Sequence, residues 1–306
     1  MTGAAGSPAA DVTVVVRTIG RPRLLRDTLR SVALCEPRPA EVVVVDQSEE
    51  VLSAAQVKEV GLPGARVVTM PEPSRAGAFN RGLEEAANPV VLSVDDDCTV
   101  RPDWVAVAVR SMEERPDGIV CGKVLPPSGS DPGAVPSTFE GEEPIDYTGD
   151  VYGGALYAGN MACPRDAVLA MGGFDPRIGP FASDSEFCFR WLRAGRSLRH
   201  VPDLVVWHQD WRSREELRRH YVQYYRSLGV FYAKYLAAGD PAVLRFLATD
   251  CYQAARSLAA GILRGVEPWT DERRGTFRGL PRGLVEGLGR FGARGGRAQW
   301  PRAKRP

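Results

Sequence analysis

The stretch VVLSVDDDCTVRPDW (Val90–Trp104) sets three consecutive aspartates directly behind a run of strand-forming residues. Adjacent carboxylates repel one another. At the end of a buried strand two arrangements tolerate them: a solvated turn, or a site for a cation. The stretch alone leaves both open. The segments on either side of it decide what kind of sheet the strand belongs to.

Upstream, DVTVVVRT (Asp11–Thr18), AEVVVVDQS (Ala40–Ser48) and ARVVTM (Ala65–Met70) are short β-branched runs, and PVVLSV (Pro89–Val94) is a fourth. Such runs predict buried strands. Between them, RPRLLRDTLRSVALC carries Leu24, Leu25, Thr28, Leu29 and Val32 at helical spacing, and Val51–Val60 predicts a second helix. SRAGAFNRGLEEAA (Ser74–Ala87) predicts a third, opened by a serine cap. RPDWVAVAVRSMEE begins a fourth with proline near its first turn. Strands alternating with helices predict an α/β fold whose parallel sheet is covered on both faces. Ligands of such sheets bind beyond the C-terminal strand ends, where Asp46 and Asp95–Asp97 both stand.

The second half reads differently. Pro126–Asp150 is a long loop rich in Pro, Gly, Ser and acid. Tyr152–Cys163 predicts a strand of small residues, Pro164–Met171 a helix, and GGFDPRIGPF an irregular turn. SDSEFCFRWLRAG (Ser183–Gly195) predicts a serine-capped helix closed by Gly195. SLRHVPDLVVWH supplies one or two short strands. Ser213–Leu236 and Pro241–Gly265 are helical and amphipathic, and the final segment, with its paired Gly and Arg, reads as weakly structured. These boundaries divide the chain into a disordered N-terminus (1–10), an α/β domain (11–212) and a C-terminal helical appendage with a basic tail (213–306).

Bulk properties narrow the function classes. The chain has 306 residues, 44% hydrophobic and 25% charged, enough apolar material for a large core. A net charge of +1 gives no general footprint for nucleic acid. From Arg264 to Pro306, however, eleven Lys+Arg face four Asp+Glu, leaving the body neutral to acidic. Six cysteines without a C-x-x-C pair read as free thiols in a reducing compartment, which predicts a cytoplasmic protein. MTGAAGSPAA lacks the basic and apolar regions of a secretory signal. No run of about 18 apolar residues predicts a membrane span.

Four groups of residues can carry chemistry. Asp95–Asp97 can share a hard divalent cation with phosphate oxygens, or form an acidic turn. Asp184 falls in the first turn of its helix, where an acid either serves catalysis or satisfies the helix dipole. His208 ends a strand and either packs or completes a metal site. Thr18, Arg75 and Asn80 stand near strand ends, as nucleotide contacts or as helix-surface polarity. Beyond them, Tyr221, Tyr224, Tyr225, Phe231, Tyr232 and Tyr235 crowd one helix, either as packing within the appendage or against a second subunit, or as a contact with the inner face of an anionic membrane.

These elements occur in one order: VVVRTIGRPRLLRDTLRSV, EVVVVDQS, SRAGAFNRGLEEA, VVLSVDDDC, YAGNMACPRDAVLAMGGFDPRI, SDSEFCFRWLRAG and HVPDLVVWH. Together, over about Asp11–Asp210, they resemble the inverting family 2 glycosyltransferases of GT-A fold, a Rossmann-like nucleotide-sugar-binding mixed sheet. The resemblance implies a nucleotide-diphosphate sugar donor (UDP-, dTDP- or GDP-linked), an Mn²⁺ or Mg²⁺ cofactor, and a hydroxyl acceptor on a glycan, a lipid carrier or a small molecule. It implies that Thr18, Asp46, Arg75, Asn80, Asp95 and Asp96 contact the donor. It implies that Asp97 and His208, with Asp95, hold the metal, and that Asp184 is the general base. Gly159, Asn160 and Trp207 are implied to line the sugar and acceptor pocket. Three positions depart from the family pattern: Gly20 replaces the usual Asn of Thr-x-Asn-Arg, Ser183 replaces the Glu before the base, and Glu186 replaces an Asp. The last makes Glu186 a secondary base in that pocket. Length and composition suggest cell-envelope or natural-product biosynthesis. Two rivals are a sugar-1-phosphate nucleotidyltransferase, which needs a Gly-rich phosphate loop after the first strand, and a non-catalytic nucleotide-sugar binder, which would not hydrolyse its donor.

Overall fold

Four β-branched runs form the parallel part of the sheet. In the computed structural model of the chain, β1 (Ala10–Thr18), β2 (Pro39–Asp46), β3 (Ala65–Thr69) and β4 (Val90–Asp95) lie in the order β3-β2-β1-β4. The structure describes residues 9–50, 53–62, 64–130, 138–149, 155–209, 212–265 and 270–292. Residues 1–8 of the expected disordered N-terminus (1–10), the middle of the 126–150 loop and the basic tail beyond residue 292 lie outside them, while Ala10 already belongs to β1.

The helices between these strands are α1 (Pro22–Ala33), α2 (Ser53–Val60), α3 (Arg75–Glu85) and, after β4, α4 (Trp104–Glu114). Val14 and Val16 of β1 join one apolar cluster with Leu25 and Leu29 of α1 and with Trp104 and Val105 of α4. Val15 points to the other face. There α3 crosses so closely that a Cβ on Gly82 would strike the Val15 methyls. A strand buried on both faces has no polar side, which is why its sequence is a continuous valine run. Ser74 caps α3 by accepting from the Gly77 N–H at 3.0 Å.

Past β4 the sheet becomes mixed. β8 (Asn160–Pro164) runs antiparallel to β4 and to β6 (Ile119–Leu125), and β9 (Leu198–His208) runs parallel to β6. The short β5 (Cys98–Val100) and β7 (Ile145–Tyr147) pair antiparallel with β9. The sheet is therefore mixed, as the family resemblance implies, with its parallel part confined to the first four strands and the β6–β9 pair. β5, β6 and β7 lack the long β-branched runs that mark the first four strands. β9 is one strand despite Pro202, with a register irregularity opposite Gly122 and Lys123. α5 (Arg165–Ala170) follows β8, and α6 (Ser183–Arg193) ends just before Gly195, whose φ of 77° suits glycine.

The chain divides into two compact units: residues 1–174 with 188–210, and residues 175–187 with 211–306. The expected boundary at 212/213 therefore misplaces 175–187. Those residues belong with the C-terminal helices because Lys234 is buried between Asp175 and Glu186.

The second unit contains α7 (Arg214–Ala237), α8 (Leu244–Leu263) and α9 (Asp271–Phe291). Ser213 and Glu216 form a reciprocal capping box at the start of α7. The segment read as weakly structured is in fact the helix α9. Gly275, Gly279, Gly283 and Gly287 recur every fourth residue on one face of it. Cβ atoms there would stand 2.8 Å from Tyr221 O, 2.9 Å from Arg226 N, 2.8 Å from Arg226 C and 2.5 Å from Ala233 Cβ. Low helix propensity is overridden because the absent side chains let α9 lie against the α7 backbone. Three aromatic residues of α7 turn inward: Phe231, Tyr232 and Tyr235 are buried, and the Tyr232 hydroxyl donates to Asp250 at 2.8 Å. Tyr221, Tyr224 and Tyr225 are only partly buried.

Candidate active site

Register places the acids together. Thr18 pairs with Asp46, and Arg17 with Asp95, so the C-terminal ends of β1, β2 and β4 share one edge. The chain then turns through Asp96 and Asp97 into β5. There Cys98 lies opposite His208 at the end of β9. This antiparallel pairing sets His208 Nε2 3.5 Å from Asp97 Oδ2. The ladder continues where the Gln209 N–H donates to the Asp97 carbonyl at 2.8 Å.

The triple aspartate is not a solvated turn. Asp95, Asp96 and Asp97 are 6%, 0% and 2% exposed. Carboxylates removed from water need compensating charge, and three guanidinium groups supply it. Arg17, on β1, bonds Asp95, and Arg75, at the start of α3, reaches the same carboxylate at 3.3 Å. Arg21, just before α1, bridges Asp96 and Asp97, the latter at 2.9 Å. The Thr18 hydroxyl donates to Asp96 at 2.6 Å, and the Tyr157 hydroxyl meets Asp95 at 3.4 Å. Thr28 of α1 braces the turn from below, its hydroxyl 2.9 Å from the Asp96 carbonyl and 2.7 Å from that of Cys98.

The three acids are electrostatically distinct. Burial raises the Asp95 pKa, but Arg17 and Arg75 outweigh it and hold this carboxyl below its usual range. At Asp96 burial wins: with Asp97 and Asp95 alongside, the carboxyl is pushed up to about 7 against the pull of Arg21 and Thr18. Asp97 is the one that faces the histidine. Ligand atoms of Asp97, Cys98 and His208 all lie within 4.8 Å of one another. Burial keeps the Cys98 thiol well above its ordinary pKa, hence neutral and a poor ligand for a hard cation. The carboxylate and imidazole remain as a donor pair that fits a divalent metal.

Gly159 closes the other side of the cluster. A Cβ there would approach Asp95 Oδ2 to 2.8 Å and the Tyr157 ring to 2.6 Å. Gly20, where the family pattern has Asn, adopts a φ of 63°. Glycine and asparagine are the residues that most readily take that conformation, which accounts for the exchange.

Other expected residues have different partners. Asp46 accepts from the Ser48 and Ser53 N–H groups at 2.9 and 3.2 Å. Burial opposes ionisation there, but these bonds outweigh it and lower the pKa. The Asn80 amide exchanges two 2.8 Å bonds with the Phe174 main chain and so holds the GGFD turn. Asn160, fully buried, accepts from Trp104 Nε1 at 2.9 Å and donates to the Lys123 and Leu204 carbonyls, both at 2.8 Å. It holds the sheet together and leaves no polar group for a pocket. Trp207 precedes His208 on β9, so strand alternation sends its indole to the opposite face from the acids.

Asp184 and Glu186 lie in the second unit, on the first turn of α6. Asp184 is half-buried, and its Oδ1 accepts from the Ser185 N–H at 2.8 Å. The residue before this helix, Ala182, has a φ of 57°, unusual for a side chain and a sign of local strain. Glu186 is 0% exposed; its Oε1 accepts from Lys234 Nζ and the Tyr235 hydroxyl, both at 2.8 Å. That closed arrangement does not suit a secondary base or a pocket wall.

Arg17, Arg21 and Tyr157 are parts of the cluster that sequence reasoning missed. The arginine inside the valine run VVVRT was the available signal, since a charge on a buried strand needs an opposite charge beside it.

Known proteins resemble this chain in sequence and in fold. A model of "Glycosyl transferase family 2" matches residues 13–161. A glucosyl-dolichyl phosphate glucuronosyltransferase of Haloferax volcanii is 30% identical over 181 residues, 55% of this chain. The chain spans only about 57% of that relative's length. A mannosyltransferase of Pyrobaculum calidifontis, solved with GDP-Man and Mn²⁺, superposes with a TM-score of 0.59 at 19% identity, covering 93% of this chain and 88% of that one. S. aureus TarS residues 1–349, solved with UDP, gives 0.53 at 18% identity, over 72% and 65% of the two chains. Residues 13–161 are thus similar to glycosyl transferase family 2, and the chain shares the mixed α/β fold of GT-A glycosyltransferases.

Proposed function

We propose that this protein transfers a sugar from a nucleoside-diphosphate donor to an acceptor hydroxyl, inverting the anomeric centre. The observation that carries the reading is the pairing of Cys98 with His208. It brings a histidine distant in sequence to 3.5 Å from Asp97, at the strand edge where Asp46, Thr18 and Asp95 end.

Asp97 and His208 would hold a divalent cation, Mn²⁺ in preference to Mg²⁺ because one donor is imidazole. When bound, that cation offsets the charge gathering on the departing diphosphate. Thr18, Arg75 and Asp95 stand nearest the donor, and Arg21 adds positive charge at the same edge. Gly159 keeps the space beside Asp95 open. Asn80 and Asn160 position the elements around the site. Asp184 is the base: its carboxylate takes the acceptor hydroxyl's proton as that oxygen attacks the anomeric carbon and the nucleoside diphosphate leaves. The single displacement inverts configuration through an oxocarbenium-like transition state.

A nucleotidyltransferase is disfavoured because the β1–α1 connection holds one glycine and no phosphate loop. The Haloferax relative is named for glucosyl-dolichyl phosphate, whose glucosyl group carries hydroxyls, which supports a lipid-linked hydroxyl among the acceptor classes. Asp184→Asn is the test. The variant should lose at least about a hundredfold in transfer, the lower range for general-base catalysis, while binding nucleotide as before. Transfer near the wild-type rate overturns Asp184 as base. Donor hydrolysis by the wild-type chain separates a catalyst from a mere binder.

A further inference from the structure

The outward face of α9 carries an apolar stripe. Phe277, Val285 and Leu288 are 43%, 74% and 48% exposed, and exposed Pro281 falls between them at helical spacing. Arg278 and Arg282, both exposed, flank the stripe and have no ion-pair partner among the described residues. The three acids of α9 are each engaged by a neighbour. Asp271 bonds Arg218 at 2.9 Å, Glu272 bonds the Tyr225 hydroxyl at 3.2 Å, and Glu286 bonds Arg226 and Arg290, both at 2.6 Å. A groove of about 690 Å³ opens beside Arg282 and Val285, lined also by Pro281 and by the Arg226–Glu286 ion pair. The sequence beyond Gly292 adds five basic residues and no acid.

A contiguous apolar stripe bordered by unpaired arginines is the chemistry of a helix lying in a membrane interface. The stripe enters the acyl boundary while the guanidinium groups meet lipid phosphates. No helix among the described residues is long and apolar enough to cross a membrane, so this contact is peripheral. A second copy of the chain fits the face less well. A two-fold interface centred on the stripe would set Arg282, near its middle, against its own counterpart.

We propose that the exposed face of α9 is a docking surface for anionic lipid bilayers. It does not depend on the transferase reading, and its test needs no activity. The full chain is spun with vesicles of phosphatidylcholine alone and of phosphatidylcholine mixed with phosphatidylglycerol. It should pellet with the mixed vesicles, weakly or not at all with the neutral ones, and less as salt is raised. Arg278→Gln with Arg282→Gln should lower partitioning roughly 25-fold, taking a factor of about five per arginine near an anionic surface. Phe277→Ser with Leu288→Ser should lower it as well. Circular dichroism shows whether each variant keeps its helices. The proposal is overturned if the wild-type chain does not pellet with anionic vesicles, or if folded variants of both kinds pellet like it. It is also overturned if the chain ignores vesicles and sediments as a dimer that Val285→Asp splits.

Discussion

Replacing Gly283 by alanine tests the packing of the C-terminal unit, because two effects of opposite sign compete there. On an isolated helix the change stabilises by about 1 kcal/mol. In this structure the new Cβ would stand 2.8 Å from the Arg226 carbonyl carbon and 3.0 Å from its Cα, and closer still to its oxygen. Carbon atoms pack best at about 3.5–4.0 Å, so α9 must move from α7 by on the order of 1 Å, which forfeits a quarter to a half of the dispersion attraction across the contact. Overpacking of this kind costs about 1–3 kcal/mol, and against backbone atoms the upper end applies. The net expectation is a loss of about 1–2 kcal/mol. Gly289, on the same helix, supplies the control, since nothing lies within 4 Å of its added Cβ. Gly289→Ala should gain up to about 1 kcal/mol. Urea unfolding followed by circular dichroism reads both midpoints. The same sign for the two variants, or a gain at Gly283, would refute close packing of α9 on the α7 backbone.

Lys234→Met removes the lysine between Asp175 and Glu186, leaving Asp175 to Arg177 and the fully buried Glu186 without that cation. The expected loss is about 3–5 kcal/mol, read by unfolding midpoint, and an unchanged midpoint would count against the buried pairing. Asp250 concerns pH. Burial first, then Glu272, raise its pKa from 3.8 to about 7, while the Tyr232 hydroxyl donates to it. Between about pH 4 and 7 the folded protein therefore keeps a proton that the unfolded chain has released. This stability is complete below the unfolded pKa and is lost as pH rises through the folded one, by up to about 4 kcal/mol. Asp250→Asn should flatten the thermal midpoint over that range, and an unaltered pH slope would assign it to other groups.

Local sequence was enough for the elements whose burial is continuous. The valine runs of β1, β2 and β4 announce strands covered on both faces, and the Ser74 cap announces α3. The acids at the ends of those strands, and hence one edge as a ligand site, followed from the alternation of strands and helices. Asp97 and His208 were named through the family resemblance that the ordered motifs carry.

Partners across the chain were not legible in the same way. A β-strand's sequence records which faces it buries, but not which strand it bonds, because backbone hydrogen bonds are nearly the same for every residue. So β9, though visible as a strand, gave no sign that its end would lie beside β5 and deliver His208 to Asp97. Arg17 and Arg21 acquired their meaning only when register set them against Asp95, Asp96 and Asp97. Asn80, Asn160 and Glu186 looked like polar groups open to a ligand, yet folding commits them to Phe174, to Trp104 and to Lys234. The glycines of α9 mislead in the same manner. Propensity weighs each as a weak helix former, whereas their effect depends on the α7 backbone that occupies the space where side chains would be. Composition and spacing speak for one segment at a time; compensation of charge and closeness of packing belong to pairs of segments, and exist only once the chain has brought them together.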